Sequence, residues 1–244
     1  MVFSLSRRSG FSWAQNLFTT YRKMTWNIPN ILTVLRLLAA PMVAVMFLYF
    51  HRPLADWIAL ILFCLAAVTD WFDGYLARLW KQESKLGTML DPIADKAMVV
   101  IALAVIIGYS DTSWTPYIVL PATFILFREV FVSGLREFLG DTAGTLKVTP
   151  LAKWKTTLQM IAIAVLFSKG VFEHYFLVSF AGMDDAMVNA VMAGEIAALH
   201  GMRFYSAGRT WAGYVGTALL WVAAILTLVT GWDYFKKSLP YLKD

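Results

Sequence analysis

Four aspartates stand inside two segments that are otherwise apolar enough to cross a bilayer. Asp70 and Asp73 lie in one and Asp91 and Asp95 in the next, within the run DWFDGYLARLWKQESKLGTMLDPIAD. Each carboxylate at mid-membrane costs roughly 2.5 to 3.5 kcal/mol on insertion scales, so four persist only where cations or a polar cavity offset the charge. Asp70, Asp73 and Ala77 fall at i, i+3 and i+7, one face of a helix, and Gly87, Asp91 and Asp95 fall at i, i+4 and i+8, one face of the next. The polar turn LWKQESK predicts that the two helices fold antiparallel, with their carboxylates converging on one pocket. Hard oxygen ligands suit Mg2+ or Mn2+, and two such ions about 3.5 to 4 Å apart recur in phosphoryl transfer.

The rest of the chain sets the class. Only 15% of residues are charged and 59% are hydrophobic, where a soluble domain carries roughly 25% charged residues. The expected fold is therefore all-α, a polytopic membrane bundle of six transmembrane helices. The spans are expected at 30–50, 57–79, 87–109, 115–138, 151–167 and 211–232. Pro92 is expected to kink the start of the third. Residues 1–28 form a separate segment without the uninterrupted apolar centre of a signal peptide. There, Phe11, Trp13, Leu17 and Phe18 beside Tyr21, Arg22 and Lys23 predict an amphipathic helix at the membrane surface. Residues 29–244 form the membrane domain. The single cysteine, Cys64, excludes a disulfide framework and is expected to pack in the core.

Six spans place both termini on one side, together with the turn after the second span and the loop after the fourth. Of the 21 basic residues, 14 fall on that side and 4 on the other. The positive-inside rule makes the first side cytoplasmic, the expectation being a protein integral to the cytoplasmic (inner) membrane. Arg78 marks the boundary, and Asp70, eight residues earlier, lies about 12 Å deeper at 1.5 Å per residue. The acidic pocket then opens towards the cytoplasm just below the head groups.

That depth favours a lipid head group as substrate. Gly74 exposes backbone to a close ligand, Ala77 keeps the same groove narrow, and Arg78 offers a fork for phosphate. Helix packing and positive-inside anchoring explain each of the three singly, but less well beside four spaced aspartates. Further along, Arg128, Arg136, Lys153 and Lys155 gather on the cytoplasmic side of the fourth and fifth spans. Arg128 sits deepest, where a phosphate dianion would offset its charge. An ion pair with Glu129 or a pocket aspartate is the competing explanation.

Asp70 to Asp95 spells D-x2-D-G-x2-A-R-x8-G-x3-D-x3-D without a departure, and it resembles the signature of the CDP-alcohol phosphotransferase family. The resemblance implies a six-span, usually dimeric membrane enzyme. Such an enzyme displaces CMP from a CDP-activated alcohol with a second alcohol and divalent metal. By that match Asp70, Asp73 and Asp91 hold two metal ions, Asp95 completes the site as ligand or base, and Gly74 and Arg78 contact the CDP moiety, with Ala77 and Gly87 in the same groove. The two cations would neutralise the diphosphate while a carboxylate takes the proton of the incoming hydroxyl. NIPNILTVLR at 27–36, REVFVSGLREFL at 128–139 and LAKWKTTLQMIA at 151–162 resemble the phosphatidylglycerophosphate synthase branch of the family. That branch uses CDP-diacylglycerol and glycerol 3-phosphate. On that basis Asn30 and Thr33 are candidates for the nucleotide, and Arg128, Arg136, Lys153 and Lys155 for the acceptor phosphate.

One segment departs from that branch. Residues 170–209 replace a short turn, and apolar positions Met187, Val191, Ile196 and Leu199 predict an amphipathic helix there, begun by Asp184 or Asp185, on the outer face or at a dimer contact. Glu173, His174, Glu195 and His200 lack ligand spacing and read as scattered polar residues. Two further functions stay open. One keeps the chemistry with phosphatidylglycerol, inositol phosphate or serine as acceptor. The other is a cation-coupled transporter, which Gly74, Arg78 and the basic cluster fit less well than a diphosphate. The expected partners are membrane lipids and a second copy of the chain, with no nucleic acid.

Overall fold

A computed structural model describes residues 27–80, 84–110, 115–140, 151–195 and 201–242, apart from the side chains at 71, 73–78, 80, 152 and 153. The expected N-terminal surface helix lies outside the described residues. Among those described, regular structure is entirely helical: α1 (Ile28–Tyr49), α2 (Leu54–Trp80), α3 (Lys85–Tyr109), α4 (Thr115–Leu139), α5 (Leu151–Ser179), α6 (Asp185–Ala193) and α7 (Met202–Ser238), closed by a short 3-10 turn at Leu239–Tyr241.

Local chemistry sets the helix ends. Asn27 is extended and Pro29 falls in the first turn of α1, where a missing N–H costs nothing. Ser84 caps α3, its Oγ accepting from Gly87 N at 3.0 Å. Pro92 sits inside α3, which runs unbroken through it. Asp184 caps α6 through Met187 N at 2.7 Å, and Gly194, at φ 85°, closes it in the left-handed region that favours glycine.

By length and composition α1, α4, α5 and α7 each contain a stretch able to cross a membrane. The protein is an integral membrane protein of helical class. α2 and α3, at 27 and 25 residues, match them in length. One apolar core joins six helices, including Val43 and Phe47 of α1, Phe63 of α2, Met98 and Leu103 of α3, Ile125 of α4, Ile163 of α5 and Leu220 of α7. Small residues bring α5 and α7 together: a Cβ at Gly216 would come within 2.9 Å of Leu166, and one at Gly208 within 2.6 Å of Phe172. Exposed Leu38, Leu48, Leu65, Phe127, Val130 and Trp211 give the bundle the apolar surface that lipid requires.

Several expectations need correction. Cys64 is exposed rather than packed in the core. It shares an outward stripe with Ile61, Leu65 and Val68, because in a membrane the apolar outside and the apolar core read alike. Leu79 and Trp80 belong to α2 and Lys85 to α3, so the intervening turn is shorter than LWKQESK. The fifth span does not stop at Phe167: α5 continues to Ser179, since Lys169 and Glu173 pair one turn apart at 3.0 Å and bury their charges within the helix. α7 likewise begins at Met202, nine residues before the expected Trp211. The 170–209 segment is thus in part the extension of α5, to Ser179, and of α7, from Met202. The separate helix between them is only 9 residues long and ends before Ile196; Ile196, Leu199 and His200 lie outside the described residues. Its Val191 packs on Phe176 and Met202.

Candidate active site

The helices carrying the acids meet through α1. Among the described residues, α2 and α3 each pack closely on α1, and Asp70 of α2 and Asp95 of α3 converge on one arginine of α1, so a third helix joins the expected pair. The reason lies in α1, whose buried Asn30, Thr33 and Arg36 recur every three residues. They meet Gly87, Asp91 and Asp95, which recur every four on α3. Two parallel helices thus mesh an i±3 row with an i±4 row. At their far ends Tyr109 Oη donates to the Phe47 carbonyl at 3.0 Å.

Each step of this ladder has its own chemistry. At the first, Ser84 Oγ donates to Asn30 Oδ1 at 2.6 Å, and a Cβ at Gly87 would approach that oxygen to 2.9 Å. At the second, Thr33 Oγ1 donates to Asp91 Oδ1 at 2.6 Å. At the third, a single nitrogen, Arg36 Nη1, donates to Asp95 Oδ1 at 2.9 Å and to Asp70 Oδ1 of α2 at 2.6 Å. The Arg36 side chain is 2% exposed, whereas those of Asp70 and Asp95 are 47% and 48% exposed. The carboxylates therefore open outwards from a buried cation.

The donor set suits a hard divalent ion. Asp70, Asp91 and Asp95 offer oxygen alone, and Arg36 Nη1 already stands between two of them as a stand-in cation. Among the described residues no three acidic, histidine or cysteine side chains form a ready-made cluster for one ion. The side chains of Asp73, Gly74, Ala77 and Arg78 lie outside the described residues, although the backbone there is helical.

Adjacent to the acids is a basic cluster. Arg128 Nη1 donates to Glu129 Oε1 at 3.1 Å, and Lys155 Nζ donates to the same oxygen. Of the two explanations for Arg128, the ion pair with Glu129 is thus present. Lys96 donates to Ser133 Oγ on α4. Asp95 and Lys96 are neighbours on α3, so one residue faces the acids and the next faces the cluster. Gly231 of α7 makes room for Arg128, whose Cγ would lie 2.9 Å from a Cβ there. Arg136 is not brought into this cluster: it is exposed, with its guanidinium 5.5 Å from the Tyr234 ring centroid. The Lys153 side chain lies outside the described residues. Asn30 and Thr33, expected at the nucleotide, contact Ser84 and Asp91 and so brace the first half of α3.

Sequence reasoning missed Arg36, Ser84, Lys96 and Ser133. The spacing 30, 33, 36 on one face of the first span was the available signal for Arg36. A serine three residues before Gly87 was the signal for the cap.

A second group of charges occupies the other end of the bundle. Arg52 Nε lies 3.3 Å from Asp56 Oδ2, Lys169 Nζ 3.0 Å from Glu173 Oε2, and Arg209 Nη1 3.8 Å from Glu173 Oε1. Arg52, Asp56, Lys169 and Glu173 line a cavity of about 40 Å3 with Phe47 and Tyr109, and Gly170 leaves the space Asp56 fills. Glu173 is therefore an ion-pairing residue rather than a scattered surface polar one.

Known proteins are similar to this chain over most of its length. A protein of Cereibacter sphaeroides named CDP-diacylglycerol–glycerol-3-phosphate 3-phosphatidyltransferase is 66% identical over 91% of this chain and 99% of its own length. Proteins of the same name are 36% identical in Rickettsia bellii, over 90% of this chain and 99% of their own, and 32% identical in Salmonella choleraesuis, over 91% and 100%. The family model for CDP-alcohol phosphatidyltransferase matches residues 26–233, spanning the acidic ladder and the basic cluster together, and the chain belongs to that family.

Proposed function

We propose that this enzyme transfers the phosphatidyl group of CDP-diacylglycerol to the 1-hydroxyl of sn-glycerol 3-phosphate, releasing CMP. The observation that carries the reading is the placement of Asp95 and Lys96 on consecutive positions of α3, one joined to Asp70 through Arg36 and the other to α4 through Ser133. A half-exposed acidic site and a cation-rich site thereby share one helix edge. The names of the relatives supply the donor and acceptor.

In this reading Asp70, Asp73, Asp91 and Asp95 hold two divalent ions, Mg2+ or Mn2+, which when bound offset the diphosphate charge and that of departing CMP. Gly74, Ala77, Arg78 and Gly87 line the CDP groove, and Asn30 and Thr33 hold its floor. Asp95 accepts the proton of the acceptor hydroxyl as its oxygen bonds to the phosphorus bearing diacylglycerol and the bond to CMP breaks. Arg128 and Lys155 bind the acceptor phosphate, with Arg136 and Lys153 towards the entrance. Among the described residues, three cations, Lys96, Arg128 and Lys155, act on the carboxylate of Glu129, which leaves the charge a phosphate dianion would balance.

We also propose the finer topology: six spans with α2 and α3 completing the set, both termini and the site on the cytoplasmic side, an N-terminal surface helix in residues 1–28, and a homodimer. The test is purified protein with CDP-diacylglycerol, Mg2+ and a panel of acceptors. CMP release with glycerol 3-phosphate alone is expected. Release with phosphatidylglycerol, inositol phosphate or serine instead would reassign the acceptor.

A further inference from the structure

We infer that Arg36 is the positioning residue of the carboxylates: a built-in cation that joins Asp70 to Asp95 and shares their oxygens with the divalent ions. The inference rests on the metal-site reading above and deepens it. Its basis is geometric. Asp70 and Asp95 belong to different helices, and among the described residues one guanidinium nitrogen reaches both, at 2.6 and 2.9 Å. Arginine stays charged at any working pH, and this one is buried at 2% side-chain exposure. It therefore supplies a constant positive charge at the closed end of the site while the carboxylates turn their exposed sides to whatever enters.

Two consequences follow from charge. Without Arg36, the carboxylates repel one another across α2 and α3, and the fold comes to depend on an added cation. With Arg36, each divalent ion binds against a fixed like charge beside its own ligands, which weakens its hold. A site arranged in this way keeps its acids assembled between turnovers without gripping the ions so tightly that product leaves slowly. Lysine, with one ammonium in place of the planar fork, preserves the charge but not the shape. It is expected to act as a partial substitute.

The experiment uses full-length protein in lipid nanodiscs. Mn2+ binding is followed by the loss of free Mn2+ signal in electron paramagnetic resonance, and thermal unfolding is followed with and without Mn2+. Wild type, Arg36→Gln, Arg36→Lys and Asp91→Asn are compared, the Arg36 variants being purified with Mn2+ throughout. Arg36→Gln is expected to unfold at a lower temperature without divalent ion, to regain most of that loss with Mn2+, and to bind Mn2+ at least about fivefold more tightly than wild type. Arg36→Lys is expected to stay within about twofold of wild-type affinity, as its charge is kept. A side chain that merely packed would lower stability equally with and without Mn2+ and leave the affinity unmoved, and that result would overturn the inference. So would an Arg36→Gln protein that fails to fold in saturating Mn2+. Wild type that binds no Mn2+, or binds it no better than Asp91→Asn, would instead remove the metal-site reading itself.

Discussion

Asp56 and Asp70 lie on the same helix, 14 residues apart and so about 21 Å along its axis, and each meets an arginine. At Asp56 the acid is the buried partner, 2% exposed, while its Arg52 is 33% exposed. At Asp70 the burial is inverted: the arginine is hidden and the acid is half open. The first arrangement pairs a buried carboxylate with a partly exposed cation and keeps the acid inside the bundle. The second fixes the cation and presents the carboxylate. Lys169, Glu173 and Arg209 extend the first pattern, pairing with one another, and the first two line a small cavity. Charge inside a membrane bundle therefore points to function through which partner remains accessible, not through its presence alone.

That contrast can be broken by substitution, beginning where the largest effect on turnover is expected. Asp91→Asn should lower CMP release by more than about 100-fold, beyond the range typical of residues that only support a metal ligand. Its circular dichroism and unfolding temperature should stay close to wild type, because an amide still accepts from Thr33. Substantial activity in that variant would remove Asp91 from the site.

Lys155→Ala should raise the KM for glycerol 3-phosphate about tenfold, as for one charge-assisted hydrogen bond, and leave that for CDP-diacylglycerol within about twofold. Steady-state kinetics in both substrates checks this, and equal changes would detach Lys155 from the acceptor.

Glu173→Gln marks the opposite extreme. Removing the carboxylate shared by Lys169 and Arg209 should cost about 3 kcal/mol of stability, as for a broken buried ion pair. The folded fraction should turn over within about twofold of wild type. A large loss of kcat at unchanged stability would show that the far end takes part in catalysis.

The elements themselves were legible because helical spacing is local. Asp70, Asp91 and Asp95 lie on helical segments as their spacing implies, and Asp184 begins its helix by the ordinary capping rule. What escaped was pairing across long sequence separations. Thr33 and Asp91 are 58 residues apart, and Arg36 and Asp95 are 59 apart, so no local period announces that α1 supplies the link between the acids. The length of α5 escaped for a related reason. Lys169 and Glu173 read as the polar end of a span, yet they cancel each other and continue it. Cys64 shows a third limit: hydropathy reports an apolar neighbourhood but not whether lipid or protein provides it. Side chains with two competing partners, such as Arg128 between Glu129 and a substrate phosphate, required coordinates to show which partner is present.

The meshing of Asn30, Thr33 and Arg36 with Gly87, Asp91 and Asp95 makes the first helix a key cut to fit one lock. A single residue inserted between Asn30 and Arg36 would rotate later teeth by about 100°, carrying the guanidinium away from both acids while every acid stayed in place. Exchanges on the lipid-facing side of that helix, such as at Leu35 or Leu38, leave the alignment alone. Sequence drift is therefore expected to be tolerated there in kind but not in number.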